Sequence, residues 1–489
     1  MPSSPQGAPR LGSDKVPVVT DLIEKAKLTP VGASPSPRTA WVAEARAMGA
    51  LATPLILTQL AQMAIGTTDL ILLGRFSQSA LAAAAIGNTL FFLAWLVGGG
   101  PASAVSPMIA QSLGARPLAR GGVRASLRMG LWAVSITSLI MVPLMWSAAP
   151  ILRALGQEPR LATMAGQFCF VLAFGLPFSL GYQVLRNFAT ALGRPRAAMM
   201  VMLATIGFNA LGGWILIFGH LGAPRLGIVG SALATAASAV FSFAAMMAVV
   251  HLDPKLKLYR ITRRLHRPAM AKLAEVFRLG LPIGMTMIFE AMLFNTMTLV
   301  MGTFGTVSLA AHQIAMNVAS ITFMVPLGLG MASTVRVGLA VGAGDMAAAR
   351  RAGMVAFSLA AGGMLVTGVL IALESSEIAG LYLGGGSAAD AAAIALAAVF
   401  LKAAAAFQMF DAVQVVGAQA LRGLKDARMP MVLAGGAYWL VGAPVCLFLA
   451  LGLHMRGLGI WIGFVVSLAV AAGVMFLRFR RLTRLAQGR

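Results

Sequence analysis

Three carboxylates lie deep in long apolar runs of this 489-residue chain: Asp69 in LAQMAIGTTDLILLG, Glu290 in PIGMTMIFEAMLFNTM and Asp411 in AAAAFQMFDAVQVVG. A charged side chain near the centre of a bilayer costs about 2.5–3.5 kcal/mol on insertion scales, so acids kept there mark an ion or substrate path. Burial disfavours the ionised form, and each such group then holds a proton, a metal cation or an organic cation. These occupants compete for one site. The bland alternative, in which one or two acids merely cap neighbouring helices, is the weaker reading for a chain that keeps three.

The elements that must position these acids are membrane helices. At 59% hydrophobic and 11% charged residues the sequence does not describe a water-soluble globule. Crossing about 30 Å of hydrocarbon as helix takes about 20 apolar residues. Twelve such runs occur, at approximately 47–74, 81–106, 126–149, 164–186, 197–219, 227–250, 279–302, 307–334, 353–374, 393–419, 430–452 and 457–477. A transmembrane β-barrel would need alternating ten-residue strands, and nothing alternates in that way. The expected fold is therefore an all-α integral membrane protein of twelve transmembrane helices.

The net charge of +23 is distributed by membrane side. With the N-terminus inside, nearly all Lys and Arg fall in the tails and inner loops. Only Arg75, Arg153, Arg160, Arg225 and Arg456 fall outside, and Lys402 lies within a span. That asymmetry predicts both termini in the cytoplasm and a multi-pass protein of the cell inner membrane. It argues against a nucleic-acid partner, which would gather basic residues with aromatics on one soluble face. Residues 1–43, rich in Pro, Ser and Lys, read as a flexible cytoplasmic tail. Residues 44–252 then form an N-lobe of spans one to six, 253–278 a basic cytoplasmic linker, 279–478 a C-lobe of spans seven to twelve, and 479–489 a basic tail.

An internal repeat supports this division. SALAAAAIGN at Ser79–Asn88 matches VSLAAHQIAMN at Val307–Asn317, and Gly114 pairs with Gly342, both at an offset of 228. Gly193 pairs with Gly423 and Gly227 with Gly457 at 230. Six spans per half give both halves the same orientation, so the repeats are parallel and should form two lobes around a central cavity. The acids do not follow the repeat: Asp69 faces Met297, Glu290 faces Gln62 and Asp411 faces Gly181. Lys402 lies nine residues before Asp411, about 13.5 Å and half a turn away, and is expected to snorkel outward rather than pair with it.

MAIGTTDLILLGRFS, FEAMLFNT, LAAHQIAMNVASITFMVPLGLGMASTVRVGLAVGAGD and FDAVQVVGAQALRGLKD resemble the multidrug and toxic compound extrusion (MATE) transporters, in their NorM-like bacterial branch, over roughly residues 44–480. The resemblance implies a drug-exporting antiporter whose cation-coupling and substrate-linked carboxylates are Asp69, Glu290 and Asp411. Its partners would be organic cation or drug substrates and the bilayer, with the chain acting as a monomer and without a cofactor. Sodium or a proton would be the coupling ion, with Glu290 and Asp411 the candidate sodium ligands. Two departures leave that ion open. Phe407 stands where the branch tends to carry a tyrosine, and span five offers Asn209 but Gly213.

Gln62, Asn317, Gln408 and Gln414 are further polar candidates beside the acids, although small polar residues in spans more often bond adjacent helices. Met63, Met287, Phe289, Met292 and Phe407 adjoin the acids or lie one turn away, and would suit a cavity for aromatic cations. Pro54 and Pro282, repeat mates ahead of Asp69 and Glu290, could kink or gate the site or be static. His312 reads chiefly as a helix-bonding residue, and Glu44 is expected at the inner interface. The two cysteines, Cys169 and Cys446, supply no disulfide framework. No P-loop, HExxH motif or Ser-His-Asp arrangement appears, which points away from an enzyme. The alternatives are an exporter of a narrow set of metabolites, or a flippase for lipid-linked precursors. A flippase should hold pyrophosphate with cavity arginines, and the predicted spans place no arginine at mid-span.

Overall fold

The computed structural model describes residues 37–116, 120–262, 266–383 and 388–485. Those residues are mostly helical and contain no strand. The helices long and apolar enough to span a bilayer number eleven, and twelve when a bent pair counts as one span. In chain order they are α1 (Pro37–Phe76), α2 (Gln78–Ala115), α3 (Arg120–Trp146), α4 (Pro159–Ala173 with Leu176–Ala191), α5 (Pro195–Phe218) and α6 (Ile228–Leu252). The second set is α7 (Met270–Gly302), α8 (Thr306–Gly342), α9 (Met346–Leu373), α10 (Ala388–Gly423), α11 (Arg428–Gly452) and α12 (Arg456–Leu485).

Several helices outrun the apolar segments that announced them. Residues 37–43 and 270–278, assigned from the sequence to a tail and a linker, are the first turns of α1 and α7, and α12 continues to Leu485. A hydropathy window finds only the stretch matched to hydrocarbon, whereas a helix keeps its backbone bonded well past the oil. Residues 1–36 and 486–489 lie outside the described residues.

Two spans depart from regular geometry for local reasons. α4 bends by 46° between its two segments, just ahead of Pro177, whose ring removes a backbone N–H and obstructs the preceding turn. α11 widens into π-helical turns at Gly436–Gly442 and Phe448–Gly452, on either side of Pro444.

The halves form two lobes with separate cores. Tyr182, Leu185 and Phe188 of α4 anchor the N-lobe, and Phe400, Trp461 and Phe464 of α10 and α12 anchor the C-lobe. α1 and α7 are shared between them. Met48, Ala52 and Leu55 of α1 pack into the C-lobe core, whereas Ala61 and Leu73 pack into the N-lobe. α7 does the reverse: Val276, Leu279 and Ile283 pack with Ala104, Met108 and Met129, and Leu293, Met297 and Met301 with the C-lobe. Pro54 and Pro282 lie near the points where each helix changes lobe.

The parallel repeat is visible in reciprocal contacts. A side chain at Gly114 would run into the Leu339 carbonyl, and one at Gly342 into the Gln111 carbonyl; these are the same pair exchanged through the offset of 228. Gly100 likewise abuts Gly280 and Gly284, while Gly328 abuts Ile56, the counterpart of Gly284. Such mutual exchange is the signature of a two-fold relation between the halves. Only glycine admits backbones this close. All four contacts fall in the half of the helices nearer the start of α1 and the end of α12. On the same side Arg336 of α8 forms a two-pronged ion pair with Glu44 of α1, and Gln111 Nε2 donates to the Gly423 carbonyl at 2.9 Å. The lobes are therefore sealed towards the face where α1 begins and α12 ends, and the space between them lies on the other side of that seal.

Glu44 is only 7% exposed, so removing its charge strands a guanidinium in the seal. A double-mutant cycle on Glu44→Gln and Arg336→Gln in detergent-purified protein is expected to give a coupling of about 1–3 kcal/mol. Additive shifts in thermal unfolding would show that the pair contributes nothing.

Candidate functional site: a charged cavity between the lobes

The space between the lobes is a cavity of about 920 Å³, within the range that holds a drug-sized molecule. It is lined by α1, α2, α4, α5 and α6 of the N-lobe and by α7, α8 and α10 of the C-lobe, and all three intramembrane acids face it.

Asp69 stands on the N-lobe wall, 6% exposed. Its Oδ2 accepts a hydrogen bond of 2.6 Å from Thr235 Oγ1 of α6, and Asn209 of α5 lies behind it without reaching bonding geometry. Its Oδ1 accepts no hydrogen bond from the protein. On the C-lobe wall, Glu290 Oε2 accepts from the Tyr438 hydroxyl at 3.4 Å. Asp411 is within coulombic reach of Glu290 and of Tyr438, and its Oδ1 is likewise unbonded. Tyr438 comes from the first π-helical stretch of α11, whose extra residue per turn re-aims the side chain, a use of π-bulges common at functional sites. Phe407, one turn before Asp411, adds an aromatic wall, edge-on to Phe294 at 5.9 Å and Trp461 at 5.7 Å.

None of the three acids forms a salt bridge with a Lys or Arg among the described residues. Lys402 is exposed on the outer surface of its helix, as its phase predicted. The hydrogen bonds to Asp69 and Glu290 come only from hydroxyls, and the Arg422 guanidinium lies within coulombic reach of Glu290 without bridging to it. Three negative charges therefore face the cavity against partial compensation, which suits an exchangeable cation.

Of the other residues singled out from the sequence, Gln62, Gln414, Met63, Met287 and Phe407 line the cavity. Five do not. Asn209 sits behind Asp69. Asn317 is exposed elsewhere and accepts from the Tyr382 hydroxyl at 2.9 Å. Gln408 is buried against Gly368 of α9. Phe289 packs against Gly435 of α11, and Met292 is 47% exposed outside the cavity. The cause is angular: each residue turns a helix by about 100°, so Phe289 and Met292 leave the face of Glu290 while Met287, three residues back, stays on it. His312 is buried outside the cavity, its Nε2 3.0 Å from Thr298 Oγ1, the helix-bonding role expected of it.

Cavity arginines are the main correction. Arg186, taken from the sequence as the end of span four, lies more than a turn inside α4, 3% exposed and facing the cavity; Arg422 of α10 faces it too. Sequence reasoning also missed Thr235 and Tyr438. A signal for the arginines was present: Tyr182, Gln183, Arg186, Asn187 and Thr190 form a polar stripe at helical spacing, as do Asp411, Gln414, Gln419 and Arg422.

A membrane protein of two parallel six-helix lobes around an acidic cavity is the architecture of a solute transporter. The MatE family profile matches residues 54–215 and 282–448, once per lobe, and the chain belongs to that family. It is 42% identical to a probable multidrug resistance protein NorM of Mesorhizobium japonicum over 92% of this chain and 97% of that one. A second such protein, from Rhizobium meliloti, is 41% identical over 91% and 95%. The fold matches the crystal structure of the eukaryotic MATE transporter AtDTX14 with a TM-score of 0.81 at 21% identity, covering 92% of this chain and 99% of that one.

The lining predicts a labelling pattern. In purified protein a charged, water-soluble thiol reagent should modify Met287→Cys rapidly and Phe289→Cys at least about tenfold more slowly, since Cys169 and Cys446 are both buried. Equal rates at the two positions would mean that α7 presents a different face.

Proposed function

We propose that this protein is a secondary multidrug efflux antiporter, a single chain that exports organic cations in exchange for sodium ions or protons. The observation that carries the reading is the set of three acids facing one cavity without a salt-bridge partner. Arg422, within coulombic reach of Glu290, offsets only part of the charge of the three acids, and a buried carboxylate without a bridging counter-charge takes up a mobile one. The family and the names of its relatives support drugs as the cargo. The Tyr438 hydroxyl beside Glu290 supplies an oxygen that Phe407 cannot, so a C-lobe sodium site retains several oxygen donors.

The excess of basic residues at the face where α1 begins and α12 ends supports a cytoplasmic location for that face in the cell inner membrane. The lobe seal then closes the inner side, and the conformation is ready to release cargo outward and admit the coupling ion. Alternating access would proceed by rocking the lobes against each other about the cavity. A membrane potential of 100 mV contributes about 2.3 kcal/mol per inward-moving charge, enough to drive uphill export without ATP. Two guanidiniums against three acids leave the cavity short of the positive excess that a pyrophosphate-binding flippase would need.

Ethidium efflux from cells expressing the protein tests the reading. Glu290→Gln and Asp411→Asn are expected to abolish efflux in protein that still inserts, because the amides preserve volume and lose charge. Normal efflux from both variants would remove the C-lobe acids from the mechanism. Asp69→Asn is expected to impair coupling more than drug binding. Repeating the assay without sodium identifies the ion, since sodium removal should stop efflux only if sodium is the coupling ion.

A further inference from the structure

Arg186 is a buried charge that the export of cations does not use. Its Nη1 donates to Gln59 Oε1 at 2.7 Å and to Gln62 Oε1 at 3.2 Å. Its Nε has no partner, and no carboxylate among the described residues pairs with it. A guanidinium keeps its charge, and its five N–H groups form a fork shaped for a carboxylate or phosphate. Holding such a group nearly out of water with only two neutral acceptors is expensive unless an anion completes it. The two glutamines strengthen the case. Because arginine can only donate, it fixes both amides with oxygen inward, which leaves their NH2 groups as further donors beside it. All three residues line the cavity.

The position is as telling as the chemistry. Gln62 is the repeat counterpart of Glu290, so the two-fold relation sets them at equal depth on opposite walls. At this depth the C-lobe presents the carboxylates of Glu290 and Asp411, with Arg422 within coulombic reach of Glu290. The N-lobe presents the Arg186 guanidinium flanked by amides, with Asp69 seven residues beyond Gln62 along α1. Each wall carries charge of both signs, and a cation bound at the C-lobe acids leaves the Arg186 fork without an anion.

We infer that Arg186, with Gln59 and Gln62, forms an anion subsite on the N-lobe wall, and that the preferred cargo is an organic zwitterion whose carboxylate docks there while its amine meets Glu290 and Asp411. The inference rests on the efflux reading and narrows it. Such a cargo bridges both lobes and arrives with its own neutralising charges.

The test compares a free-acid rhodamine, a zwitterion, with its ethyl ester, a cation of the same ring, by fluorescence binding to purified protein. Wild type should bind both. Arg186→Gln is expected to raise the ratio of the free-acid to the ester dissociation constant by about 10- to 100-fold, the loss associated with a hydrogen bond to a charged group. Arg186→Lys should fall between, since it keeps charge without the fork. Gln62→Glu supplies a competing carboxylate and should shift the ratio in the same direction, which covers the case in which Arg186→Gln does not insert. A ratio unchanged in these variants, or a wild type that binds the ester but not the free acid, overturns the inference and leaves the efflux reading standing. Failure of wild type to bind either dye would instead bring down the efflux reading and this inference with it.

Discussion

At Gly100, Gly114, Gly328 and Gly342 the backbones of the two lobes come into direct contact, because a hydrogen in place of a side chain lets helices approach where no other residue would fit. These contacts set where the lobes touch and so where they separate. A tight meeting of helices at one end leaves room between them at the other. The cavity, its depth and the faces that line it follow from this backbone seal. The ion pair of Glu44 with Arg336 reinforces the seal with a contact that can break and re-form, unlike a merged apolar core.

Inside the cavity the two-fold relation of the backbone is broken by chemistry. The repeat supplies matching positions on both walls, yet one wall carries Glu290 and the other Gln62 with Arg186 behind it. A symmetric site would attract one kind of charge to both lobes alike. The asymmetric one distinguishes the two walls, with aromatic surface from Phe294 and Phe407 beside the C-lobe acids.

The number of spans, the repeat and the three acids could be read from the chain because each rests on local information. Apolar length announces a span, register announces a repeat, and a lone acid in oil stands out from its neighbours. Residues found only by folding depend on distant partners. Thr235 meets Asp69 across 166 positions and Tyr438 meets Glu290 across 148, and no window along the chain joins them. Phe289 and Met292 illustrate the opposite error, since adjacency in sequence rotates a side chain off the shared face. Arg186 was hidden by a boundary: its helix continues to Ala191, so a residue counted at the membrane edge lies within the cavity wall.

The exchange of partners by α1 and α7 bears on how such a chain could have arisen. Each half leaves the first part of its opening helix in the core of the other, where Met48 and Leu55 fill one lobe and Val276 and Ile283 the other. A single half would expose those surfaces, and two copies would cover them by swapping arms. A half able to cover those surfaces would have needed a second copy beside it, which is the arrangement the joined chain keeps.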